Sequence, residues 1–126
     1  MTMSEPLRGV VVAHGSVAAS LVDAAEQISG TRGALVAVSN SGCDREHLEA
    51  RVAEAIGGRP AVVFVDMAAG SCLLAVLRHF RDRDTVRVVT GVNLAMLLDF
   101  LFHRDLGPEA AAERAVSSGA RAIRTP

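Results

Sequence analysis

A chain of 126 residues is long enough for a genuine core; half of its residues are apolar, yet only four, all Phe, are aromatic. Thirteen basic residues against fourteen acidic ones leave a net charge of -1, which excludes the broad basic footprint of a nucleic-acid binder, and the lack of Trp and Tyr removes most stacking platforms for single strands. No apolar run reaches the ~18 residues that span a bilayer, and residues 1–8 mix acid and base rather than forming a signal peptide. The expectation is a soluble cytoplasmic protein with no direct membrane insertion. Cys43 and Cys72 are isolated thiols without disulfide or metal-ligand spacing.

Apolar runs and helical patterns alternate along the chain. Residues 7–13 read as a first strand that ends at His14-Gly15-Ser16. Val17, Leu21, Ala24 and Ile28 then repeat at helical spacing, with Gly30 as the stop. Residues 34–38 form a second short strand, followed by the loop residues Ser39-Asn40-Ser41-Gly42. Asp44 is the expected N-cap of a helix burying Leu48, Val52 and Ile56, and Gly57-Gly58 ends it. Residues 61–65, an unbroken apolar run, read as a strand covered on both faces and lead into Asp66. A helix with Leu73, Val76, Leu77 and Phe80 on one face follows. A fourth strand, 85–89, exits at Thr90-Gly91 and precedes a helix with the stripe Leu94, Leu97, Leu98 and Leu101. Gly107-Pro108 opens a last helix that ends near Gly119.

Four strand–helix units in series predict a three-layer α/β sandwich with a mostly parallel four-stranded sheet. No repeat, linker or composition shift divides it, so residues 1–126 read as a single domain. All four strand exits then share one edge, which gathers His14, Asp66 and Thr90-Gly91. Ligands of open α/β sheets bind at that edge, and helix N-termini there favour anions.

A histidine in such a place suits a phosphoryl carrier. One ring nitrogen must be free to attack phosphorus, while the other donates its N–H to a fixed acceptor. Asp66 is the candidate acceptor. Gly15, Ser16, Gly70 and Ser71 are candidate donors to the phosphoryl oxygens. The other histidines, His47, His79 and His103, lack a Cys, His or carboxylate neighbour at ligand spacing, so no metal and no cofactor is expected. Cys72, near a helix start, is either a thiol of lowered pKa or a small buried filler. Asp66 also has the N-cap reading, and Arg78, Arg81, Arg83 and Arg87 read as a solvated rim, with basic residues near His14 able to attract an acidic partner.

Three segments carry a family resemblance: Gly9-Val10-Val11-Val12-Ala13-His14-Gly15-Ser16, then Val65-Asp66 with Gly70-Ser71, then Thr90-Gly91-Val92-Asn93-Leu94-Ala95-Met96-Leu97-Leu98. In order and spacing the chain resembles the IIA component of the mannose-family sugar phosphotransferase system over essentially its whole length. The resemblance implies that His14 accepts a phosphoryl group from the phosphocarrier HPr and passes it to a IIB component or another acceptor, with Asp66 orienting the ring and Ser71 beside the phosphoryl group. It also favours Nε2 as the phosphorylated nitrogen. It implies a homodimer with an exchanged C-terminal antiparallel strand, which would be short here, since only residues 120–126 follow the last helix.

The chain departs from the family pattern after Asp66. There the family has a bulky aromatic, two glycines, Ser and Pro; here Ala68 replaces the aromatic, Ala69 the first glycine and Cys72 the proline. Those changes leave open a second reading, a regulatory binding module of an incomplete relay, switched by phosphorylation and not coupled to sugar transport. The phosphotransfer subunit of dihydroxyacetone kinase is a third, from which residues 91–98 point away.

Overall fold

The computed structural model describes residues 6–126, so most of the segment read as lacking a signal peptide (residues 1–5) lies outside the described residues. The elements run β1 (Arg8–Ala13), α1 (Val17–Ser29), β2 (Leu35–Ser39), α2 (Arg45–Ile56), β3 (Ala61–Val65), α3 (Ser71–Phe80), β4 (Val86–Thr90), α4 (Leu94–Leu101) and α5 (Pro108–Arg121). The strands form one sheet in the order β2-β1-β3-β4, and every pairing is parallel. No described helix is long and apolar enough to cross a membrane.

The period-two alternation of strand side chains divides the core in two. Val11, Ala13, Val62 and Phe64 face one side, where α1, α4 and α5 pack on them with Leu97, Phe100 and Ala115. Val10, Val12, Val63 and Val65 face the other, covered by α2 and α3 with Leu48, Val52, Val76 and Phe80. Phe64 and Phe100 meet edge to face, with centroids 5.4 Å apart, the favoured geometry for an aromatic pair. This is the expected three-layer α/β sandwich.

The helix boundaries follow local chemistry. Asp44 accepts the backbone N–H of His47 at 2.9 Å, as an N-cap should. Gly30 and Gly57 end α1 and α2 in the left-handed conformation.

Three helix faces differ from the spacing-based expectation; in α3 the buried residues are Cys72, Ala75, Val76 and Phe80, with Leu73 and Leu77 only partly buried. In α1 the buried residues are Ala18, Val22 and Ala25, whereas Val17 and Ile28 are exposed. Small residues let this helix approach the sheet closely, so the buried stripe is rotated one residue from the bulkier set. In α4 Met96, Leu97, Phe100 and Leu101 are buried, and Leu94 and Leu98 pack only partly. The last helix also runs on through Ala120 and Arg121, so that residues 122–126 follow it without a strand of their own in this chain.

Strand order positions the site. The chain leaves β1 for β2 on one side, and β3 returns on the other. The exits of β1 and β3 therefore flank the switch point, where α/β sheets open a crevice. His14 follows β1 and Asp66 follows β3.

Candidate functional site

His14 lies one residue past β1, and its imidazole is 41% exposed. Asp66 lies one residue past β3, with its side chain only 14% exposed. Their strands pair in parallel, with Val12 opposite Val65, which brings the two side chains together across 52 positions of sequence. Asp66 Oδ2 lies 2.8 Å from His14 Nδ1 and also accepts the backbone N–H of His14 at 3.0 Å.

The protonation pattern follows. Burial by itself would raise the pKa of Asp66, but hydrogen bonds from the His14 side chain and backbone outweigh it and hold the carboxyl below its ordinary value. A carboxylate only accepts. His14 Nδ1 must therefore carry the proton, and Nε2, which has no hydrogen bond among the described residues, keeps its lone pair in the neutral ring.

The residues after His14 turn sharply. Gly15 has φ +58° and Gly70 φ +103°, a region that disfavours any side chain. A Cβ at either would meet no atom within 4 Å, so it is the backbone conformation that calls for glycine. Ser16 stands at the start of α1 without a side-chain capping bond, and Gly70 at the start of α3 offers none. By contrast α2 and α4 are capped by Asp44 and Asn93. The helix starts beside His14 and Asp66 thus keep N–H groups for an external acceptor. Ser71, the first residue of α3, is exposed. Asp66 precedes the α3 cap by four residues, so its N-cap reading does not hold.

A group of residues read only as loop chemistry supports the site. Ser39 pairs with Ala13 in register, and its hydroxyl donates to the Gly15 carbonyl at 2.7 Å. Asn40 Oδ1 accepts the Gly15 N–H at 3.1 Å, and Arg51 donates to the carbonyls of Ser39 and Ser41. The β2 exit thereby fixes the Gly15 peptide. The legible signal was a polar run at the end of a strand bordering β1.

Other candidates sort differently. Thr90-Gly91 ends β4 on the same edge, where Val92 N–H donates to Val65 O. Asn93 belongs to the scaffold: its Oδ1 caps α4 at Met96 N, and its amide donates to Gly119 O on α5. Arg78, Arg81, Arg83 and Arg87 lie from the last turns of α3 to β4, at the far end of α3 from His14, so they are not the site's basic neighbours. His79 Nε2 meets the buried Glu49 at 2.9 Å and ties α3 to α2.

Cys72 is buried in the first turn of α3. Burial, then the nearby Asp66 charge, push its thiol up to about 11, so it is not the lowered-pKa thiol that a helix start would favour. Its Sγ lies 3.8 Å from His14 Nδ1.

Comparison with known proteins bears on the fold and the family. Among solved structures, the chain is similar to phosphotransferase system component EIIA from Streptococcus agalactiae, with 17% identity, coverage of 94% of this chain and 96% of that one, and a TM-score of 0.84. The mannose/sorbose-specific IIA subunit from Enterococcus faecalis matches at 20% identity over 97% and 96% of the two chains, also at 0.84. A sigma-54 interaction domain protein from Enterococcus faecalis matches at 16% identity over 98% and 96%, with a TM-score of 0.72. At such identities these likenesses speak for the fold. No curated protein gives a significant match. The family model EIIA-man, described as PTS system fructose IIA component, matches residues 9–116, which span His14, Asp66 and the Gly91–Leu98 motif region, and the chain belongs to that family.

Proposed function

We propose that this chain is a phosphohistidine carrier of the phosphoenolpyruvate-dependent phosphotransferase system, taking a phosphoryl group from HPr on His14 and passing it to a IIB component. The observation that carries this reading is the His14–Asp66 pair at the switch point, with Nδ1 held by a carboxylate and Nε2 without a hydrogen bond among the described residues. In the forward step the Nε2 lone pair forms a bond to phosphorus as the phosphorus–nitrogen bond to the HPr histidine breaks. The electron pair of that bond returns to the HPr ring. His14 becomes a cationic phosphoimidazole, and Asp66 steadies the charge through Nδ1–H. Ser71, Ser16 and the amides at the starts of α1 and α3 serve the three phosphoryl oxygens, while the Gly15 N–H is taken by Asn40 Oδ1. Transfer to IIB reverses the step, and positioning supplies most of the acceleration. The same reading makes the protein a cytoplasmic homodimer.

Incubation with phosphoenolpyruvate, enzyme I and HPr tests the reading. An acid-labile adduct that disappears in His14→Ala supports it, and an unmodified wild-type protein beside fully phosphorylated HPr refutes it.

A second reading, a phosphorylation-switched regulatory module, is favoured by the exposed Ala68 and Ala69 after Asp66, where the family pattern has an aromatic and a glycine, and by the buried Cys72 in place of its proline. The fold shared with a sigma-54 interaction domain protein points the same way. Both readings use His14. Transfer from the phosphorylated chain to a IIB protein separates them, because the regulatory module would retain its phosphoryl group.

A further inference from the structure

We propose that His14, Asp66 and Cys72 form a binding site for a thiophilic divalent cation of the zinc class, and that its occupancy withdraws His14 from phosphoryl transfer. The blocking half rests on the proposed carrier role; the binding half does not.

Three different ligand types converge here: an imidazole nitrogen, a carboxylate oxygen and a sulfur, all within 4.8 Å of one another. Sequence spacing hid the group, because His14 lies 52 positions from Asp66 and 58 from Cys72. Zinc holds nitrogen and oxygen at about 2.0–2.1 Å and sulfur at about 2.3 Å. Tetrahedral angles then place nitrogen and sulfur roughly 3.6 Å apart, close to the 3.8 Å between Nδ1 and Sγ. Nitrogen and oxygen would stand roughly 3.3 Å apart, so the 2.8 Å Nδ1–Oδ2 hydrogen bond opens by about half an ångström. The carboxylate has capacity to spare, since Asp66 Oδ1 is buried with no hydrogen-bond partner among the described residues. Three protein ligands leave the fourth tetrahedral position to water.

Cation binding and phosphorylation exclude each other by proton accounting. Nδ1 uses its lone pair on the cation, so its proton moves to Nε2 and the ring stays neutral. The Cys72 thiol binds as thiolate and releases its proton to solvent. Nε2 then carries a hydrogen in place of the lone pair that must attack phosphorus. Cys72 stands where the family pattern has proline, which has no donor atom in its side chain, so the site is a property of this chain.

Cobalt(II), titrated into the full chain with a non-thiol reductant and no chelator, reads the site directly. The expected result is one cobalt per chain, a thiolate-to-cobalt charge-transfer band and displacement by zinc. In Cys72→Ser the band disappears and cobalt affinity falls by more than the ~100-fold that outer partners of a metal site can cost. Cys72→Ala, which buries no hydroxyl, gives the same loss, and Cys43→Ser retains the band. Absence of the band in wild type, or its survival in Cys72→Ser, overturns the site. Stoichiometric zinc should stop phosphorylation of wild type by preformed phospho-HPr and spare Cys72→Ser. Equal rates for zinc-loaded and metal-free wild type overturn the block. A metal-free wild type that takes up no phosphoryl group refutes the carrier reading and leaves the cobalt result standing.

Discussion

Replacing Asp66 tests how the carboxylate works on His14. In Asp66→Asn the amide oxygen can take the place of Oδ2, which accepts both the backbone N–H and Nδ1–H of His14. Both hydrogen bonds survive and the negative charge is lost. A hydrogen bond to a charged group contributes about 1.5–3 kcal/mol and a neutral one about 0.5–1.5. The difference, about 1–1.5 kcal/mol, applies in full once phosphorylation makes the ring cationic. At 1.36 kcal/mol per tenfold, transfer from phospho-HPr slows by roughly 5- to 15-fold. Asp66→Ala removes the acceptor altogether and slows it by roughly 10- to 150-fold. It also leaves the His14 N–H unpartnered, so rates are compared at equal folded fraction, set by near-UV circular dichroism. Rapid-quench transfer of labelled phosphate gives the single-turnover rate. Wild-type rates in both variants, or a slower Asn than Ala variant, would refute the charge argument.

Asn40→Ala removes the acceptor of the Gly15 N–H and should slow the same transfer by roughly 2- to 12-fold, with phosphorylation still confined to His14. Asn93→Ala loses both the α4 cap and the bond to Gly119; it should cost about 2 kcal/mol by urea unfolding while His14 still accepts phosphate. Asp66 has a folded pKa below its ordinary value, so the unfolded chain binds the proton first as pH falls. Its contribution to stability is complete above pH ~4 and is lost as pH falls through the folded value; chemical denaturation should therefore show the wild-type advantage over Asp66→Asn shrinking below that pH. Cys72, pushed up to about 11 and buried, should alkylate far more slowly at pH 8 than an ordinary thiol, which peptide mapping after iodoacetamide will read.

The strand exits were the legible part of this chain. An unbroken Val/Phe run at residues 61–65 announced a central strand, and the break after Ala13 put His14 at an edge that Asp66 had to share. What stayed hidden depends on rotation about helices and on long-range neighbours. The buried face of α1 follows Ala18 and Ala25, small residues whose packing value is invisible to a search for bulky apolar spacing. Asp66 resembles an N-cap in sequence, yet three further residues and Gly70 intervene before α3 begins. Asn93, in the third family-like segment, holds α4 and α5 together through Met96 N and Gly119 O. Ser39 and Asn40 looked like generic loop residues because their role requires β2 to lie beside β1. Cys72 looked isolated because only the β1–β3 pairing brings α3 against His14.

The central claim is that Nε2 of His14 is the nitrogen that carries the phosphoryl group. Phosphorus NMR of the chain after treatment with phosphoenolpyruvate, enzyme I and HPr tests it most directly. The account predicts a single phosphoimidazole resonance of the Nε2 type, lost on acidification and absent from His14→Ala. A resonance of the Nδ1 type, a phosphoserine signal at Ser16 or Ser71, or a signal that persists in His14→Ala would contradict it.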